Sequence, residues 1–74
     1  MNKERRKKVT DAIAAIGKIE ELIQNILDDE QEAFDNMPEG LQASDNGMAS
    51  EEAQENLDAA IDALEEAIGY LEEI

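Results

Sequence analysis

Apolar residues recur every seven positions in two stretches of the chain, with one proline between them. In the first stretch Val9, Ile16 and Ile23 form one column. Ala12, Ile19, Ile26 and Ala33 form a second, and Ile13, Leu27 and Phe34 a third. In the second stretch Leu57, Leu64 and Leu71 form one column, Ile61 and Ile68 another, and Ala53, Ala60, Ala67 and Ile74 the last. Three apolar positions per heptad make the wide stripe that a bundle helix buries. The pattern predicts an all-α chain of one domain spanning residues 1–74. Helix 1 should cover about residues 3–36, a connector about 37–47 and helix 2 about 48–73.

The break lies at Met37-Pro38-Glu39-Gly40. Pro38 cannot continue a helix, and the residue before a proline is biased away from helical geometry. Pro38 can instead open one short turn, and Ser44 or Ser50 can cap the second helix. Two helices joined by a short connector are expected to lie antiparallel as an αα-hairpin. Each stripe is wider than one partner helix can cover, so a lone hairpin would leave Ile and Leu exposed. The simplest remedy is a homodimer of hairpins forming a four-helix bundle. Val9, Ile16, Ile23, Ile26, Leu27, Phe34, Leu57, Ile61, Leu64, Ile68 and Leu71 are the expected core and oligomer residues. Glu30 falls on the first column, as either the end of tight packing or a polar register device.

The chain has 74 residues, no Cys and no His. Disulfides and Cys/His zinc sites are therefore excluded. A single core of this size rarely supplies more than roughly 3–5 kcal/mol without a staple or a partner copy. The basic start resembles a signal peptide only briefly. Asp11 and Lys18 interrupt the would-be apolar region, and Glu20 and Glu21 end it. The expected location is the cytoplasm, that of the host cell if a phage encodes the chain. No membrane association is expected.

Catalysis finds little support. A nucleophile needs a base, usually His, and the hydroxyls Thr10, Ser44 and Ser50 include two candidate helix caps. Asp45-Asn46-Gly47 lacks the spacing and the closing Glu of a calcium loop. Glu51-Glu52-Ala53-Gln54-Glu55 resembles the Glu-Glu-x-x-Glu motif of helical nucleotide pyrophosphatases of the MazG type. Their second acidic motif should follow on a later helix, and none does. The chain is expected to be neither an enzyme nor a cofactor or metal carrier.

Charge is the stronger signal. The formal net charge is −14, and five of the six basic residues lie in the first eight positions. From residue 19 onward there are 18 Asp and Glu and no Lys or Arg. With Leu57 turned inward, Glu51, Glu55, Asp58, Asp62, Glu65 and Glu72 should form a rail on the opposite side of helix 2. At ~1.5 Å per residue the rail is about 32 Å long, with a carboxylate roughly every 5–6 Å. That is comparable with the one charge per about 3.4 Å of a DNA strand. Glu21, Asp28 and Asp35 make a sparser column on helix 1.

A solvated face also explains acids on an amphipathic helix. It does not explain the missing Lys and Arg, because like charges four residues apart are destabilising while Glu–Lys pairs stabilise. The sharper expectation is a nucleic-acid mimic that occupies a basic site on a host protein. Direct DNA binding is not expected. The basic tip has two readings. Beside the end of helix 2 it would neutralise Glu65, Glu66, Glu72 and Glu73, each cluster otherwise opposing its own helix dipole. Alternatively Arg5, Arg6, Lys7 and Lys8 form an anion site, as in an oligomeric sponge for an anionic nucleotide signal, although no Gly-rich cradle or aromatic accompanies them. A structural or assembly role for the bundle itself is a further alternative.

The stretch Asp29-Glu30-Gln31-Glu32-Ala33-Phe34-Asp35-Asn36-Met37-Pro38-Glu39, followed by Leu41-Gln42 and the Leu-Asp-x-Ala-Ile repeats, is distinctive. It resembles a group of small acidic α-helical proteins of bacteriophages and prophages. The group has no activity to carry over, so no functional residue transfers. The resemblance implies a setting, since small acidic phage proteins are often inhibitors of host enzymes, including nucleases of restriction and CRISPR systems. Within the stretch, Phe34, Met37 and Leu41 are expected to fold over the end of the bundle and hold the connector.

Overall fold

The computed structural model describes all residues 1–74. It contains helix α1 (Lys3–Asp35), the single turn α2 (Glu39–Gln42) and helix α3 (Asp45–Glu72), and no strand. The molecule is a rod whose Cα atoms extend over 58 × 15 × 12 Å.

Local chemistry sets the ends of these elements. Asn2 caps α1, its side-chain oxygen accepting the Arg5 N–H at 2.8 Å. At the other end the Asn36 N–H still reaches the Glu32 carbonyl at 3.0 Å. Pro38 then stops the ladder and opens α2, and its carbonyl accepts from Leu41 and Gln42 at 2.9 and 3.0 Å. Ser44 takes the N-cap position of α3 in an extended backbone conformation. Its hydroxyl does not cap the helix. It turns back and donates to the Leu41 carbonyl.

Two expectations need correction here. Ser50 is not a cap but a buried residue inside α3. Helix α3 also starts three residues earlier than the pattern suggested, at Asp45, because the chain enters it directly from Ser44 in the N-cap position. The Gln42 side chain clasps this corner, donating to the Phe34 carbonyl at 2.9 Å. Phe34 and Met37 are half-buried there, but Leu41 is 51% exposed and does not close the end.

The long helices pack against each other. Arg6, near the start of α1, donates to the Ile74 backbone oxygen beyond the end of α3, at 3.2 Å. Further along, Gly17, Glu20, Glu21 and Gln24 share a cleft with Ile61 and Glu65. The covered side of α1 runs through Val9, Ile13, Ile16, Ile23, Leu27 and Phe34 at alternating steps of three, four and seven. On α3 it runs through Leu57, Ile61, Leu64, Ile68 and Leu71. Only Leu27, 5% exposed, and Ile61, 8% exposed, are buried apolar side chains. No side chain is sealed completely.

Ile26 does not belong to this core. It is 53% exposed, because its column lies roughly a quarter-turn away from the seam that α3 covers. Glu30 is half-buried in the seam, and packing continues past it to Phe34 and Met37. It is therefore a polar seam position rather than the end of packing.

Glu20 occupies the same column as Ile13, Leu27 and Phe34. One of its carboxylate oxygens is buried without a hydrogen-bond partner. An unpaired buried acceptor is costly, whereas an apolar group of similar size restores packing. Glu20→Leu should raise the thermal midpoint by several degrees, on the basis of ~1 kcal/mol or more regained, and Glu20→Gln should raise it less. Circular dichroism melts check this, and an unchanged or lower midpoint for Glu20→Leu would contradict it.

Candidate functional site

The acidic residues are placed by the packing seam. Once Leu57, Ile61 and Leu64 turn towards α1, residues on one flank of α3 emerge beside the seam at steps of three and four. That flank carries Glu51, Glu55, Asp58, Asp62, Glu65 and Glu72, all exposed. The rail was expected opposite α1, and it lies instead alongside it. Glu65 lines the cleft with Glu20, Glu21 and Gln24, and Glu72 lines a second cleft with Arg6, Val9, Thr10 and Ile13.

This placement has a consequence for α1. Glu21 shares a cleft with Glu65, so the α1 column lies on the same side of the molecule as the α3 rail. Asp28 and Asp35 follow Glu21 at seven-residue steps and are also exposed. Nine carboxylates from two helices thus share one face, with no Lys or Arg after Lys18 to offset them. No group of three or more acidic side chains converges tightly enough to hold a metal ion.

The basic tip behaves differently from either simple reading. Arg5, Arg6, Lys7 and Lys8 are all exposed. The expected pairing with the carboxylates at the end of α3 does not form. The one ion pair is local, Lys7 to Asp11 at 3.5 Å, one helical turn apart and open to solvent. Exposed pairs of that kind stabilise by only ~0.3–0.5 kcal/mol. What joins the two ends is the Arg6 guanidinium, which contacts the Ile74 oxygen and, at 3.2 Å, the Met1 carbonyl. A cation at a helix C-terminus is stabilised by the negative end of the dipole. Arg6 supplies that charge from the other helix, since α3 has no basic residue in its last turn.

Two residues that matter to this geometry carried weak sequence signals. Glu20 was legible as the gap between Ile13 and Leu27 in an otherwise apolar column. Gly47, at the edge of the connector, is buried in the first turn of α3 against the Gln42 backbone.

No helix is long and apolar enough to cross a membrane. No protein-family model, curated protein or solved structure matches the chain.

Proposed function

We propose that the chain is a non-catalytic binding protein. In this reading it is a nucleic-acid mimic that occupies a basic site on a host defence or nucleic-acid-processing protein. Its scaffold is an antiparallel helical hairpin that pairs with a second copy into a four-helix assembly. The observation that carries the reading is the face of nine exposed carboxylates drawn from both long helices. The closeness of Arg6 to Ile74 supports the antiparallel arrangement. The resemblance to phage proteins supplies the setting of an inhibitor acting in the host cytoplasm.

Electrostatic recognition of this kind weakens with salt, because the Debye length shrinks from about 10 Å at 0.1 M to about 3 Å at 1 M. The immobilised chain is expected to capture a basic protein from host lysate at low salt and release it at high salt. Changing Glu55, Asp58, Asp62 and Glu65 to the corresponding amides should weaken capture by about tenfold or more while helicity is kept or increased, since like-charge repulsion along α3 is relieved. A captured protein that ignores both salt and these substitutions would sink the proposal.

One observation favours a second reading, that of an assembly protein whose role is the bundle itself. Ile19, Leu22 and Ile26 are exposed on one side of α1. Under that reading the amide variant keeps full activity, whereas changes to those three residues abolish it.

A further inference from the structure

The cleft at the end of the rod, where the start of α1 meets the end of α3, is lined by more than acidic side chains. It holds about 290 Å³. Val9 and Ile13 of α1, with Leu71 and Ile74 from the other end of the chain, form its apolar floor. The first three are half-buried and Ile74 is 47% exposed, so apolar surface remains open to a ligand. Arg6 and Thr10 line the cleft from α1, and Glu72 lines it from α3. Arg6 and Glu72 thus border one cleft from two helices, and they form no ion pair with each other.

These polar groups have donors and acceptors to spare. Arg6 donates from Nε to the Met1 carbonyl and from Nη1 to the Ile74 oxygen, both at 3.2 Å. Its remaining guanidinium protons are free, and such a fork suits a carboxylate. The Thr10 hydroxyl donates its single proton to the Arg6 carbonyl at 3.1 Å. Towards a ligand it can therefore only accept, and the Glu72 carboxylate is an acceptor as well. Charged donors on one side and two acceptors beside them match a carboxylate and an ammonium carried on one small molecule.

We infer that this cleft binds a small apolar α-amino acid, such as leucine, as its zwitterion. The ligand's carboxylate accepts from Arg6. Its ammonium donates to Glu72 and Thr10, and its side chain covers Val9, Ile13, Leu71 and Ile74.

Other ligand classes fit less well. A phosphate or a nucleotide brings negative charge against Glu72 and the Thr10 lone pairs, and a simple amine meets the Arg6 guanidinium. The basic tip alone suggested an anionic nucleotide; Glu72 beside Arg6 turns the preference to a zwitterion. Size acts in the same direction. Small-molecule sites hold about 300–1,000 Å³, so this cleft lies at the small end and suits a single amino acid. The bound ligand spans both helices beside the existing Arg6 link, and it stabilises the folded chain by mass action. The inference does not depend on the basic partner proposed above, which is absent from its test.

Titration of the full chain with L-leucine at millimolar concentrations, followed through its amide NMR signals, tests the site. Saturable shifts are expected at Arg6, Thr10, Ile13, Leu71 and Glu72, and none around Gln42 at the far end of the rod. Three truncated probes separate the contributions. Isocaproate lacks the ammonium, isoamylamine lacks the carboxylate and glycine lacks the apolar tail. Each should bind about tenfold more weakly or worse, the scale of one lost charge-assisted hydrogen bond or one uncovered aliphatic side chain. Glu72 is exposed, and removing a negative charge near a helix C-terminus does not threaten the fold. Glu72→Gln should therefore weaken leucine by about tenfold while isocaproate binds as before or better. Isocaproate or isoamylamine binding as tightly as leucine would overturn the zwitterion. Unchanged leucine affinity in Glu72→Gln would overturn the placement of the ammonium, and leucine without saturable shifts at the cleft would overturn the site.

Discussion

Gly47→Ala is expected to lower the stability of the protein by about 2 kcal/mol, although alanine is the better helix former. A Cβ on Gly47 would lie 2.6 Å from the Gln42 Cα and closer still to its carbonyl group. These are backbone atoms of the turn entering α3, and they cannot rotate away as a flexible side chain would. Forcing backbone apart in a packed site typically costs 1–3 kcal/mol, and about 1 kcal/mol returns from the better helix propensity of alanine, so the upper end of the range is needed for the net loss. For a chain of this length the loss corresponds to roughly 8–15 °C in the thermal midpoint. Gly69→Ala is the matched control. It sits in the same helix with nothing within 4 Å of the new atom, so the same substitution should stabilise by up to ~1 kcal/mol. Urea or thermal melts of the two variants should shift in opposite directions. A Gly47→Ala protein as stable as the parent would mean that the corner between α2 and α3 is not closed by backbone contact.

Leu27→Ala should be more damaging still. Leu27 is the most deeply buried large side chain, and truncation of a buried leucine costs ~2–5 kcal/mol. The total available to such a core is roughly 3–5 kcal/mol, so the variant is expected to be largely unfolded at room temperature in dilute solution. Ile26→Ala removes a similar apolar group from the neighbouring position, but from an exposed site. Its cost to the separate chain should stay within about 0.5 kcal/mol. Helicity measured at low protein concentration distinguishes the two, and equal losses would show that α3 does not cover the side of α1 described above. A loss for Ile26→Ala that appears only as the chain is concentrated would instead report on pairing between copies.

The contrast between these two adjacent residues shows how far the sequence can be read. Heptad columns identified both as apolar positions of one helix, and the columns carry no label for the neighbour that covers each. Leu27 and Ile26 differ by one residue, or about 100° around the helix, and only the position of α3 separates a core residue from a surface one. The same holds for the acids. Their spacing showed that Glu51 to Glu72 form a line on α3. That the line runs beside α1, and that Glu21 joins it across a shared cleft, follows from how the two helices rotate to bury Leu27 and Ile61. Gly47 looked like a loop residue because its neighbours Asp45 and Asn46 are turn formers. Its role depends on the approach of Gln42, which no local pattern encodes.

The chain by itself determined its helical character, its single break at Pro38 and the segregation of charge after Lys18. Each of these depends on periodicity, on one proline ring or on composition, all local properties. Tertiary structure alone decided which column of α1 is covered, where the acids of the two helices meet, and that Arg6 reaches the Ile74 backbone rather than an acidic side chain. Those outcomes depend on the relative rotation and offset of two helices. Burial sets these, and burial is a property of the pair rather than of either segment.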